Sequence, residues 1–314
     1  MKNFWQMVKS SPILPWVLAF LFMHLIVLNS GGTNEKSRFA TLRAMSMQST
    51  FSITDYKHWT LDWARTPDGN YYSNKGPGPM FLVFPFFYPI DKFLCSINYK
   101  SGKEDKICSK HPVVGGLRHL CSVLLQLIPF AFLVIFLTTY LKNKFSIDRP
   151  AIHFVGLAML FGNTASLFMN SFLGHGLSAI FVLLLAYSLV EKRYYWAGLC
   201  YGFALLTEYS AVVLLPPVII FLLLSNRFNF KWVKFLILGG AIPGILWMWY
   251  HYASFGNIFH TPLHFQNPDF IDLKDAKDNF LGIFLIPRQV QCMNCFLEVE
   301  EDYYLLSLGF FFCS

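Results

Sequence analysis

Two stretches of this chain carry residue types suited to chemistry. Thr33-Asn34-Glu35-Lys36-Ser37-Arg38-Phe39 sets a carboxylate three positions before a guanidinium, and Asp68-Gly69-Asn70-Tyr71-Tyr72-Ser73-Asn74-Lys75-Gly76-Pro77-Gly78-Pro79 puts an ammonium in a turn rich in glycine and proline. A carboxylate can take the proton of an attacking hydroxyl. Lysine offers a compact charge for phosphate, and Gly76 and Gly78 allow close backbone approach to a ligand. Tyr71 and Tyr72 are amphipathic rings of the kind found at lipid headgroup level. Plainer readings stand beside these. Glu35 and Arg38 suit an i,i+3 surface ion pair, and Lys75 suits a headgroup anchor. The glycine spacing is not that of a P-loop, and no strand is expected before it.

The elements that must position these residues follow from composition. Of 314 residues, 55% are hydrophobic and 14% charged, against about 25% charged in an ordinary soluble domain. A soluble monomer, a disordered chain and a nucleic-acid-binding domain fit poorly, and no nucleic acid is expected as a partner. The expected fold is all-α, a polytopic transmembrane bundle of seven spans in the lipid bilayer. The apolar runs are Pro12–Asn29, Val113–Leu141, Ala151–Asn170, Leu173–Val190, Tyr194–Ser225 and Trp232–Tyr252. Tyr194–Ser225 is too long for one helix. With basic residues at both ends it reads as a hairpin of two short spans, with Glu208 at its outer tip.

Met80–Phe93 is apolar but short and contains Pro85 and Pro89, which suits an element lying on the outer face. Charge supports this. With that segment not crossing, the cytoplasmic pieces hold ten basic residues against Asp148 and Glu191, as the positive-inside rule asks. The N-terminus is then cytoplasmic, and residues 31–118 form a large first extracytoplasmic loop. Thr33 or Asn34 is expected to cap an interfacial amphipathic helix marked by Phe39, Leu42 and Met45. In this topology His175 and Glu208 fall on the same outer face as the loop. The spans are nearly free of the charged residues an ion-coupled transporter would use, which points to chemistry at the outer surface.

The two stretches together resemble the C-type (GT-C) glycosyltransferase superfamily of polytopic membrane enzymes, including the bacterial aminoarabinose transferases and protein mannosyltransferases. Their first loop has the pattern Asp-Glu-x-Arg-Tyr followed by Tyr-Phe-Glu-Lys-Pro. Anchored on Arg38, the catalytic aspartate position falls on Glu35 and Phe39 stands for the tyrosine. Anchored on Lys75, Tyr72 matches the tyrosine, and Pro77 the proline after one inserted glycine. The chain is more similar to bacterial members with Asn-Glu-x-Ser-Arg and Tyr-Tyr-Ser-x-Lys-x-Pro-Gly. The resemblance spans roughly residues 10–265 and is concentrated in the loop. It departs in having Glu for Asp and Lys36 for the second acid; Asp62 is a spare carboxylate in the same loop.

The resemblance implies sugar transfer from a polyprenyl-phosphate-linked donor to an unknown acceptor hydroxyl, in the bacterial inner membrane. Glu35 would be the general base. Lys75, Arg38 and Tyr72 would hold the donor phosphate, with Asp62, Tyr71, His175 and Glu208 nearby. No cofactor or metal is implied, and His251, His260 and His264 are not assigned to one. A non-catalytic polyprenyl-lipid-binding or transport protein, or an inactive truncated remnant, is the alternative. Residues 1–287 would form the transmembrane unit. Residues 288–314 have no family-like pattern and read as a tail that is truncated or frame-shifted. Cys95 and Cys108 flank a polar loop and suit a disulfide there. Cys292 and Cys295 have metal-like spacing with no second pair.

Overall fold

The computed structural model describes residues 2–27, 31–99, 112–225 and 230–267. The Cys95–Cys108 pairing, the Cys292 and Cys295 spacing and the 288–314 tail fall partly or wholly outside them. The fold is all-α apart from one small hairpin. The helices are α1 (Lys2–Lys9), α2 (Leu14–Ile26), α3 (Thr33–Gln48), α4 (Gly78–Tyr99), α5 (Pro112–Ser122), α6 (Ile128–Phe145), α7 (Arg149–Phe161), α8 (Thr164–Leu167), α9 (Gly174–Val190), α10 (Tyr194–Thr207), α11 (Leu215–Leu224) and α12 (Phe230–Phe255). A π-helical turn, Val123–Leu127, joins α5 to α6. Strands β1 (Trp63–Arg65) and β2 (Tyr71–Ser73) pair antiparallel, with Ala64 opposite Tyr72.

Two helices are long and apolar enough to cross a membrane by length and composition, Gly115–Phe145 and Trp232–Phe255. At about 1.5 Å per residue both exceed the roughly 30 Å of a hydrocarbon core. The other expected spans are shorter helices. Ala151–Asn170 is not continuous: α7 stops at Gly162, and the Asn163 side chain caps α8 by accepting from the Ser166 amide. The first run is likewise reduced to the 13 residues of α2.

Tyr194–Ser225 breaks where expected. α10 ends at Thr207, Glu208 is extended (φ −140°, ψ 120°), and a 3₁₀ turn, Tyr209–Leu214, leads into α11. Leu222 of α11 packs back into a cluster with Leu185, Leu189, Tyr194 and Ala197, so the chain reverses at Glu208. α10 and α12 cross with almost no side chain between them. A Cβ at Gly198 would overlap the Leu236 carbonyl, and one at Gly239 would overlap the Tyr195 carbonyl. Small residues at such crossings let backbones pack closely.

Met80–Phe93 lies within the uninterrupted helix α4, with both prolines inside it. Met80, Val83 and Phe87 form its buried stripe, packed against Phe39 and Leu42 of α3 together with Leu117, Cys121 and Phe172. Asp91, one turn further along that stripe, is buried and pairs with Arg43 of α3.

Helix α3 corrects two expectations. Glu35, Ser37, Arg38, Thr41, Arg43 and Ser46 are buried along with Phe39, Ala40 and Leu42, so α3 is enclosed on all sides rather than amphipathic and interfacial. Its N-cap is Gly32, with no side-chain cap; the Thr33 hydroxyl is turned to Asp62.

Candidate functional site

Ser37 knits three segments together. Its Oγ lies 2.5 Å from the Asp62 carbonyl, to which it donates, and 2.7 Å from the Ser73 hydroxyl. Thr33 donates to the Asp62 carboxylate at 3.0 Å, and Thr60 donates to the Thr33 carbonyl at 2.6 Å. These bonds fix the loop ahead of β1, and the end of β2, against the first turns of α3. Asp62 and Lys75 are thereby set beside Arg38.

Arg38 is fully buried. One terminal nitrogen bonds the Asn34 side chain, and the other bonds Glu208 Oε1 at 2.6 Å. The same Glu208 oxygen lies 3.5 Å from His175 Nδ1. Lys75 Nζ lies 3.5 Å from Asp62 Oδ1. Burial lowers the Lys75 ammonium from its ordinary value; the charge of Arg38 adds to this, while Asp62 and Glu208 oppose it. Arg38, Lys75, Asp62, Glu208 and His175 therefore meet in one cluster built from five separate parts of the chain. His175 is the most open member, with its side chain 48% exposed, against 16% for Glu208.

Glu35 faces another way. Its Oε2 lies 3.4 Å from Arg118 Nε and accepts the Phe172 amide at 3.2 Å, with the side chain 4% exposed. The surface Glu35–Arg38 pair is not formed, because each residue is buried with a partner far away in sequence. Arg118 had no signal in the sequence beyond being a single basic residue ahead of an apolar run.

The glycines act on protein rather than on a ligand. A Cβ at Gly76 would overlap the Thr207 carbonyl, and one at Gly78 would sit 2.6 Å from Thr207 Oγ1. The Lys75 turn thus leans on the end of α10, immediately before Glu208. Gly174 is equally tight, since a Cβ there would overlap the Glu208 carboxylate.

Two expected site residues point elsewhere. Tyr72 is buried in an aromatic cluster with Tyr250 and Phe255, and that burial raises its phenol above the ordinary value, helped by Asp68. Neighbouring strand residues face opposite ways. Tyr71 accordingly lies on the other face, against Trp63 and beneath Lys57 at 4.5 Å. Neither ring bonds a member of the charged cluster.

His251 is fully buried. Its Nδ1 lies 2.8 Å from the Trp247 carbonyl and its Nε2 lies 3.2 Å from the Tyr209 hydroxyl. A carbonyl only accepts, so Nδ1 carries the proton and Nε2 accepts from Tyr209. This ties the residue after Glu208 to α12. Among the described residues no group of three or more His, Cys, Asp or Glu side chains is placed to hold a metal ion.

Beside the loop, Leu82, Val83 and Phe86 of α4 and Leu124 and Leu125 of the π-helical turn line an apolar pocket of about 110 Å³. Chemically, the cluster offers two cations for an anionic oxygen, two carboxylates, and an imidazole open to solvent. No protein-family model matches the chain, and no curated protein or solved structure matches it either.

Proposed function

We propose that the protein is a membrane glycosyltransferase that moves a sugar from a polyprenyl-phosphate-linked donor to an acceptor hydroxyl on the extracytoplasmic face. The observation that carries this reading is the convergence of Arg38, Lys75, Asp62, Glu208 and His175 beside the loop. Two preorganised cations suit a phosphate leaving group, whose negative charge grows as the glycosidic bond breaks.

A seven-crossing bundle with a cytoplasmic N-terminus is part of the proposal. Supporting it are the two long apolar helices and a surface on which Phe22, Phe154, Leu224 and Ile237 stand exposed. Contiguous exposed apolar surface marks a membrane or partner contact. The pocket between α4 and the π-helical turn suits part of an isoprenoid tail. Glu35 takes the role of base; its carboxylate is held by Arg118 and the Phe172 amide.

A specific observation favours the second reading, a non-catalytic binder of polyprenyl-phosphate lipid. The Glu35 carboxylate is enclosed and already engaged. Proteoliposomes supplied with polyprenyl-phosphate hexose or pentose, and with added alcohols and a cell-envelope lipid and glycan extract as acceptor hydroxyls, separate the two. For an enzyme, wild-type protein releases polyprenyl phosphate, while Glu35→Gln keeps donor binding and loses about 100-fold or more of turnover. Equal turnover in Glu35→Gln removes Glu35 as the base. Binding of the donors without release by the wild type leaves the binder.

A further inference from the structure

We propose that His175 takes up a proton when an anionic phosphodiester headgroup occupies this cluster, making it the third cation of the bound state. The inference rests on the anionic-headgroup binding that both readings above share, and it adds the residue that sets the pH dependence of that binding.

The charges of the cluster are paired among its own side chains. Arg38 is matched by Glu208 and Lys75 by Asp62, and the neighbouring Arg118 is matched by Glu35. A phosphodiester brings one more negative charge into a region where Arg38 has no exposure and Glu35 and Asp62 are nearly enclosed. An uncompensated charge in such a setting is costly. The group best suited to restore balance near neutral pH is an imidazole, the side chain whose ordinary titration falls between about pH 5 and 8.

His175 is placed for that task. It sits in the first turn of α9, a 17-residue helix whose first amides have no side-chain cap. That end of a helix favours an anion and disfavours a second cation. The groups facing the imidazole are Glu208 at 3.5 Å and the Phe168 ring at 5.3 Å, with Arg38 behind Glu208 and Lys75 and Asp62 beyond. An arriving anion adds negative charge beside a ring that already faces the Glu208 carboxylate, and so favours its cationic form. With Nδ1–H toward Glu208, the incoming proton comes from water to Nε2. A second observation points to a ligand here: the buried Arg38 Nε–H has no hydrogen-bond partner.

The test uses the full chain in detergent and two phosphodiester probes of fixed single charge, dimethyl phosphate and farnesyl methyl phosphate. Calorimetric titration in two buffers of different ionisation enthalpy counts the protons taken up. We expect uptake approaching one proton for farnesyl methyl phosphate, with affinity falling up to about tenfold per pH unit above the imidazole range. His175→Gln should bind with no proton uptake near neutral pH and a pH profile that is flat through the imidazole range. His175→Arg should bind tightly across the range.

Wild-type binding without proton uptake overturns this inference alone. Undiminished uptake in His175→Gln also overturns it, and assigns the proton to Lys75 or a carboxylate. Proton-coupled binding of both probes with equal affinity supports the inference and removes the lipid-donor reading. No binding of either probe at any pH overturns both.

Discussion

Glu208 accepts a hydrogen bond from Arg38 at 2.6 Å across 170 positions of chain. It does so from the turn where α10 ends, so the site is sealed by the corner of a helical hairpin. Arg38 sits one helical turn into α3 and has no exposure. Removing one partner of such a pair leaves a buried charge, at a cost of about 3–5 kcal/mol. Arg38→Ala should therefore lower the unfolding midpoint in detergent sharply. Arg38→Ala with Glu208→Ala should recover much of that loss, and a double-mutant cycle measures the recovery.

The Lys75 turn depends on contact with Thr207 rather than on glycine flexibility. Gly76→Ala pushes a methyl group into the Thr207 carbonyl. It should destabilise the fold by about 1–3 kcal/mol and weaken phosphodiester binding by moving Lys75. Gly116→Ala is the control. Nothing lies within 4 Å of a Cβ there, and alanine favours the helix by up to about 1 kcal/mol. Thermal unfolding of the two variants should shift in opposite directions.

The lowered Lys75 pKa gives the alkaline limb of anion binding a sign. In the proposed complex the charged ammonium holds the phosphodiester, so affinity should fall as pH rises through the lowered value. Loss should therefore begin at a lower pH than an exposed lysine would show. Lys75→Arg should remove this second limb and leave only the fall assigned to His175, because the guanidinium stays charged. Titrations of the two proteins toward high pH check this.

The Arg43–Asp91 pair joins α3 to α4 beneath the loop, with both residues buried. Asp91→Ala strands the Arg43 charge and should cost about 3–5 kcal/mol. It lies outside the charged cluster, so any folded fraction should bind phosphodiester with affinity close to wild type. A parallel fall in affinity per folded molecule would contradict this.

The α10–α12 crossing allows no side chain between the helices. Gly239→Leu should prevent close packing and destabilise the chain more than Gly244→Leu, where a Cβ meets open space. Protease resistance in detergent ranks the two.

The sequence by itself determined the helical class, through long apolar runs with few charges. It also determined the break at Glu208, because a polar triplet with basic flanks cannot continue one apolar helix. It singled out Glu35, Arg38, Asp62, Lys75, His175 and Glu208, since charged and titratable residues are sparse in so apolar a chain and their positions carry information. The tertiary structure decided who pairs with whom. Glu35 turns to Arg118, Arg38 to Glu208 and Lys75 to Asp62, whereas the neighbours in sequence remain apart. Local spacing reports only contacts within a helical turn, and each of these partners comes from another part of the chain. Tyr72 matched the tyrosine of the pattern with Tyr71 as its neighbour, and only strand pairing put Tyr72 in an aromatic core and Tyr71 under Lys57. Enclosure of α3 was likewise invisible, because burying its polar residues requires partners from α4, the β1–β2 hairpin and the α10 corner, which sequence spacing cannot supply.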